Sequence, residues 1–488
     1  MRAAFQRGVM AETELSNVAS PDRFFIDDKE GVPVSIPGQG QRLSLPSLLQ
    51  ALRRNILSAW PKHAYERDVF GVKLMQQRYL VCNSAESVRR VFLSEHDNYD
   101  RKSPQMRHAL EPLLGDGLFV SDGALWQARR ALCAPAFEPN LMQDFATVMT
   151  EEAGRLADQW QALKPGSAVH MLEEMARLTA RIIGRTVFGD ETSDAEAARV
   201  VRGFSEYQRE IEQSGLADTF GLPALGWLSN PLRRYRARKA AQMVQDVIDH
   251  IIQRHRSGSA GGRFTLLSHL LKHGEDNGGG CPVSANAARN EAIVMFMAGH
   301  ETTANSLAWC WYLLDHSPRA AARLHEELDE VLGGRAPSLE DVPRLQYTRA
   351  VFEEALRLYP PVPILSRQAR RDDVMHGRQV SKDTIILVVP WLLHRHKAHW
   401  EKPDHFIPER FLPDQPRPDK FIYIPFSVGR RVCLGLRFGM VEGILCLATL
   451  AQRFTAEVEK DHKVEIECRL TLRPHRGLPM RLSPRRAA

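Results

Sequence analysis

Apolar residues recur at helical spacing through 123–133, 141–160, 171–188, 197–212 and 236–255, with Gly, Pro and Ser between the runs, so the pattern predicts five helices. Two runs at 67–74 and 77–82 alternate instead and predict a hairpin, followed by a helix that Ser87 could open. From Ser284 to Asp315 only Gly299 departs from helix-forming or neutral residues, which predicts one helix roughly 48 Å long at 1.5 Å per residue. A helix of that length crosses the whole body. Ser317-Pro318 restarts a helix as cap and first-turn proline, 346–358 forms another that Pro360-Pro361 ends, and 434–452 forms a last one. Segments 384–389 and 470–473 predict strands. The fold class is therefore mainly α with small β-sheets, an α+β arrangement in a single large domain with a long central helix over residues 61–488. Residues 1–60, with Pro33, Pro37 and Pro46, are expected to be a lead-in packed on that body. The loops SGSAGG (257–262) and EDNGGG (275–280) are the most flexible-looking segments, and no internal repeat or composition shift marks a second domain.

Composition excludes more than it proposes. With 43% hydrophobic and 25% charged residues in 488, the chain is an average globular protein, neither disordered nor disulfide-rich. Its net charge of +6 comes as scattered pairs and one cluster from Arg233 to Lys239, so no nucleic-acid surface is expected. Seven widely spaced cysteines without a C-x-x-C pair point to a reducing compartment and away from structural zinc or iron–sulfur ligation. No apolar stretch reaches the roughly 18–20 residues that span a bilayer, so no transmembrane anchor is expected. MRAAFQRGVMA at the start is too short and too polar for a secretory signal, while a cleaved transit peptide is left open. The expected setting is cytoplasmic and soluble, with peripheral membrane contact left open.

One cysteine stands apart. The segment Phe426-Ser427-Val428-Gly429-Arg430-Arg431-Val432-Cys433-Leu434-Gly435 places Cys433 at the start of the last helix, where backbone N–H groups, the helix dipole and two arginines favour a thiolate. Gly429 supplies the tight turn that lets amides face the sulfur. The long helix carries Ala298-Gly299-His300-Glu301-Thr302-Thr303. A mid-helix glycine costs roughly 1 kcal/mol relative to alanine and needs a reason. Small residues let another body approach the backbone, and a threonine hydroxyl can bond back to a carbonyl one turn earlier. A plain helix–helix contact with Glu301 solvated is the competing explanation. Glu354 and Arg357 stand at i and i+3 and are followed by Pro408-Glu409-Arg410-Phe411, while Trp126-Gln127-Ala128-Arg129-Arg130 places an indole and a guanidinium one helical turn apart.

Together the W-x-x-x-R, A-G-x-E-T-T, E-x-x-R, P-E-R-F and F-x-x-G-x-R-x-C-x-G patterns, in this order over about residues 60–480, resemble the cytochrome P-450 family of haem-thiolate monooxygenases. The resemblance implies haem b with Cys433 as the axial thiolate ligand, Phe426 shielding the sulfur, and Trp126, Arg130, Arg431 and Arg367 at the propionates. It implies that Ala298 and Gly299 lie against the macrocycle, that Glu301 relays protons, that Thr302 serves the bound oxygen, and that Glu354, Arg357 and Arg410 form a buried triad holding the thiolate loop. His300 falls at a variable position of the motif. Lys397 stands where the family often has a proline. The substrate pocket would be lined by Leu118, Phe119, Val120, Ala298, Val362, Ile364, Leu365 and Leu470, and entered past GLADTFGLPALGWL (215–228). That lining suits a lipophilic substrate such as a fatty acid, terpenoid or steroid-like compound.

The function so implied is insertion of one oxygen atom from O₂ into a lipophilic compound. No FMN- or FAD-binding extension follows residue 488, so electrons are expected from a ferredoxin or similar small acidic donor with its reductase, docking near Arg129, Arg430 and Arg437. Two alternatives remain open at this point: a peroxide-using or rearranging enzyme of the same fold, and a haem-based sensor or binding protein.

Overall fold

The computed structural model describes residues 32–33, 55–74, 76–189, 192–211, 231–257, 265–276, 285–468 and 470–485. Most of the lead-in, the 215–228 entrance segment and the greater part of both glycine-rich loops lie outside these residues. The body is mostly helical, with small sheets. Its longer helices are α1 (Pro104–Leu114), α2 (Gly123–Cys133), α3 (Met142–Gln161), α4 (Met171–Phe188), α5 (Asp194–Ile211), α6 (Pro231–Arg256), α7 (Leu266–Asp276), α8 (Ala285–Asp315), α9 (Pro318–Leu332), α10 (Gln346–Leu358) and α11 (Leu436–Ala451). The apolar periodicity places α2, α4 and α10 to the residue. One expected start moves: the short helix Ala85–Arg89 is capped by Ser84, whose hydroxyl accepts the Ser87 N–H, and Ser87 closes the capping box from the third position.

Helix α8 runs through the core, and α4 is its main neighbour. The two meet at Gly299, where an added Cβ would lie 2.6 Å from Ile183 Cδ1. The glycine is thus required by close helix packing, and this half of the bland explanation is correct. The other half is not, because Glu301 is buried.

A four-stranded sheet flanks the bundle: β1 (Val69–Leu74), β2 (Gln77–Cys82), β3 (Leu365–Gln368) and β4 (Ile385–Val388), in the order β1-β2-β4-β3. The β1–β2 hairpin is antiparallel, with Val69 opposite Cys82, and β2 runs parallel to β4, with Tyr79 opposite Ile385. The expected strand at 470–473 lies slightly later, at Leu472–Pro474, paired with Ile466–Cys468. Of the lead-in, Val32 and Pro33 pair with Phe406 and His405.

Candidate active site

The thiolate loop is built by backbone geometry. Ser427 (φ 61°) and Gly429 (φ 73°) both adopt left-handed conformations, and a Cβ on Gly429 would fall 2.1 Å from the carbonyl oxygen of Phe92. Only glycine fits there. The turn closes with the Cys433 N–H donating to Phe426 O at 2.9 Å, and α11 starts three residues later. Unlike the other described cysteines, which are buried, Cys433 is exposed, and it lines the cavity. Desolvation by the surrounding protein raises the thiol, while the Gly435 N–H and Arg130 pull it down. The arginine expected to help, Arg430, points outward toward Asp97 at 3.5 Å, and Arg431 turns to Ser121 O at 2.9 Å. A metal ion bound to the sulfur would supply the remaining stabilisation that a thiolate needs.

The cavity has a volume of about 250 Å³. Phe426, Val432, Cys433 and Gly435 line it on one side, and Ala298, Gly299 and Thr302 on the other. Leu118, Phe119, Val362 and Leu365 add an apolar wall. Leu365 and Arg367 share one face of β3, as the period of two requires, so both reach the cavity and Ile364 does not. Ile364, Val120 and Leu470, expected in the lining, are not among the residues that line this cavity. In Val120's case, a turn closed by its N–H to Gly117 O directs the side chain inward.

At one end of this apolar slot four cationic side chains converge: Lys102, Arg130, Arg367 and Arg431, beside Trp126. Arg130 donates to Val432 O at 2.9 Å, and the Arg431 guanidinium lies 4.4 Å over the Trp126 ring. Asp122 is the carboxylate nearest Arg431, at 3.4 Å, and it also binds Arg107. Burial, reinforced by Arg431, pushes Arg367 down to about 9. Lys102 is driven well below its ordinary value by burial and then by Arg367 and Arg431. The Arg431 Nε is sealed from solvent without an acceptor. This surplus of buried positive charge beside a flat apolar slot fits a macrocycle carrying two carboxylates. Lys102 was not singled out from the sequence, since an isolated lysine before a Ser-Pro pair carries no pattern.

On α8 the Thr302 hydroxyl donates to Ala298 O at 2.7 Å, the bond one turn back that the sequence suggested. Glu301 turns away from the cavity: its carboxylate accepts from Gln208 Nε2 at 2.9 and 3.1 Å and from the Thr471 hydroxyl at 2.7 Å. His300 is buried against Phe296, and burial lowers it to about 4, so it is a neutral core residue.

Glu354 and Arg357 are fully buried and doubly bonded, at 2.6 and 2.7 Å. Arg357 also donates to the carbonyls of His394, Pro403 and His405, and Arg410 Nε lies 3.5 Å from Glu354. His394, missed in the sequence, completes the link: its Nε2 accepts the Ile424 N–H at 3.0 Å, just before the thiolate loop, and its Nδ1 faces Arg357 O at 3.2 Å. Burial, aided by Arg357, lowers His394 to about 3, which keeps Nε2 an acceptor.

Of the arginines expected at a donor-docking face, Arg430 and Arg437 are exposed. Arg129 is a correction: it is buried and paired with Asp116 at 2.8 Å.

The family model for cytochrome P450 matches residues 40–479. The chain belongs to the cytochrome P450 family. It is 35% identical to cyclooctatin synthase of Streptomyces melanosporofaciens over 77% of this chain and 80% of that protein. To cyclooctat-9-en-7-ol 5-monooxygenase of the same organism it is 31% identical, over 86% and 88%. To the chloroplastic carotene epsilon-monooxygenase of Arabidopsis thaliana it is 30% identical, over 77% and 72%. Among solved structures it is similar to the cytochrome P450DA heme domain, with a TM-score of 0.72 and 25% identity over 86% and 89% of the two chains. This P450 is accordingly an oxidoreductase whose cofactor is haem b with a cysteine thiolate axial ligand. Among the described residues no helix is long and apolar enough to cross a membrane.

Proposed function

We propose that this P450 is a monooxygenase that inserts one atom of O₂ into a lipophilic substrate, with Cys433 as its iron ligand and a separate small acidic protein as electron donor. The observation that carries the reading is the single cavity that joins the Cys433 sulfur, the Thr302 turn, an apolar wall and a buried cationic end. When bound, haem ligated by thiolate supplies O₂ activation. The chain's own residues do the rest. Arg130, Arg367, Arg431, Lys102 and Trp126 would hold the propionates, and Phe426 would cover the sulfur. Ala298 would leave room on the α8 side of the cavity, where Gly299 lets the helix pack closely on Ile183. The Thr302 hydroxyl, bonded here to Ala298 O, would serve the oxygen side of the cavity, and Glu301 would move protons from the Gln208–Thr471 side.

The wall of Leu118, Phe119, Val294, Met295, Val362 and Leu365 excludes water and gains affinity from apolar burial at roughly 25 cal/mol per Å². Together with the names of the cyclooctat-9-en-7-ol and carotene monooxygenases, this favours a terpenoid among the lipophiles. An oxygen-side acid-alcohol pair argues against a peroxide-using or rearranging enzyme, which has less need of a proton relay. The test is a screen of terpenoids, fatty acids and steroids against the holoenzyme for the haem absorption shift that accompanies water displacement. Turnover of the hits with a ferredoxin and its reductase then follows. Tight binding confined to small polar or multiply charged compounds overturns the substrate reading.

A further inference from the structure

Glu291 lies on α8 with no solvent exposure. Both of its oxygens accept the same backbone donor, the Leu118 N–H, at 3.0 and 3.1 Å. Around that bond the other contacts are with α2: Cys133 Sγ approaches one oxygen at 3.7 Å and Arg129 lies 3.5 Å from the other. Arg129 in turn holds Asp116, which also accepts from Asn290 at 2.9 Å. The loop 115–121 is thus fastened to two successive residues of α8 by charged side chains. It lies so close to the helix that a Cβ on Gly117 would sit 2.8 Å from Val294 Cγ2.

The fastening point matters because of what stands beside it. Leu118 and Phe119 line the cavity, and so do Val294, Met295 and Ala298, which follow Glu291 on the same face of α8 at i+3, i+4 and i+7. The distance between loop and helix is therefore the width of the distal chamber. Resting on the reading of this chamber as the substrate site, we propose that Glu291 is a positioning residue that sets its width, and with it which lipophiles bind, by holding the Leu118 amide against α8. Glu291 touches neither cofactor nor substrate. Its effect passes through one backbone bond to the two side chains that do.

A glutamine at 291 keeps one acceptor for the Leu118 N–H, whereas an alanine leaves that buried donor orphaned. The experiment compares holoenzymes carrying Glu291→Gln and Glu291→Ala with the parent, at one pH, after the carbonyl spectrum of the reduced form has confirmed an intact thiolate site. Two readouts are taken. Amide hydrogen exchange is followed in peptides covering 115–121 and, as a control, 346–358. Affinity is measured by the haem absorption shift for geranylgeraniol and dodecanoic acid, and for imidazole, a small direct iron ligand that does not need the loop.

The expected result is at least tenfold faster exchange at 115–121 in Glu291→Ala, with 346–358 unchanged. At least one lipophile should lose tenfold in affinity while imidazole stays within twofold, and Glu291→Gln should remain near the parent in every readout. Unchanged exchange and lipophile affinity in Glu291→Ala overturns the proposal. So does an equal loss of imidazole affinity, which marks general disruption, or a Glu291→Gln protein that behaves like Glu291→Ala. If neither lipophile binds the parent, the substrate reading fails on its own, and the exchange data still decide whether Glu291 holds the loop. Should Glu291→Ala yield no folded holoenzyme, Glu291→Asp takes its place. Its shorter side chain cannot reach the Leu118 N–H without moving the loop, so parent-like exchange and affinity there also refute the inference.

Discussion

The side-chain nitrogen of Gln208 lies 3.1 and 2.9 Å from the two oxygens of Glu301, joining α5 to the residue beside the Thr302 turn. Thr471 binds the same carboxylate, and Arg473 approaches the Gln208 oxygen at 3.4 Å. A proton relay through Glu301 therefore begins from a carboxylate held on the side of α5 and of the turn at Thr471. Positioned proton transfer contributes about 10²–10⁴-fold. Glu301→Gln and Thr302→Ala should lower product formation within that range or divert electrons to peroxide, with haem content and ligand affinity kept. Gln208→Leu, which removes one of the tethers, should give a smaller loss. Product and peroxide formed per electron consumed check all three. Parent-like coupling in Glu301→Gln and Thr302→Ala places the relay elsewhere.

Replacing Cys433 with serine should abolish the thiolate-type carbonyl spectrum of the reduced protein. Cys310→Ser and Cys446→Ser should keep it, because both thiols are buried away from the cavity and held up by desolvation. Retention of the spectrum in Cys433→Ser refutes the ligand assignment.

Arg357 fills its fork with Glu354 and three carbonyls, a geometry that a lysine cannot reproduce. Breaking such a buried pair costs about 3–5 kcal/mol. Both Arg357→Lys and Glu354→Ala should lower the unfolding temperature and lose haem on gel filtration, whereas the outer pair Arg417–Glu353, with its half-exposed arginine, should tolerate Arg417→Ala with little change.

Glu442 is fully buried on α11, and desolvation raises it to about 8 against a modest pull from Thr303. Between its unfolded value of 4.5 and its folded value of about 8, the native state holds a proton that the unfolded chain releases. Stability from this group is thus complete below pH 4.5 and falls by about 1.4 kcal/mol per pH unit until pH passes the folded value. Glu291, raised to about 7 by burial, acts in the same sense over a narrower window. Denaturant unfolding of the parent and of Glu442→Gln across pH 5–9 should show a shallower decline in the variant. Identical slopes would rule out the assigned titration.

Reduction by a small acidic iron–sulfur donor should slow as salt rises, because exposed charges steer association. Arg430→Glu and Arg437→Glu should slow it further at low salt. A reduction rate that salt leaves unchanged argues against charge-guided docking.

Much of this was legible in the chain. Helices α2, α4 and α10 follow from apolar period and proline breaks, and short patterns single out Cys433, Thr302, Glu354 and Arg357. What escaped was decided by side-chain direction across distant segments. Ile364 and Leu365 are neighbours of equal hydrophobicity, yet the strand period sends only Leu365 to the cavity. Arg129 and Arg130 are adjacent in sequence, and helical rotation buries one against Asp116 and turns the other to Val432. His394 owes its place to partners 30 and 37 residues away, and Lys102 to Phe119 and Asp122 across an intervening helix, which no local pattern encodes.

The bonds of Arg357 have a consequence for how such a protein can change over generations. By gathering Glu354 and the carbonyls at 394, 403 and 405 onto one guanidinium, Arg357 ties the segments before the thiolate loop together without using any residue of α8 or of the loop 115–121. The opposite wall hangs on side-chain tethers such as Gln208, Thr471 and Glu291. Substitutions there can accumulate and open the chamber to new compounds while the iron-holding half stays as it is. Divergence of appetite and constancy of chemistry are thereby assigned to separate halves of one chain.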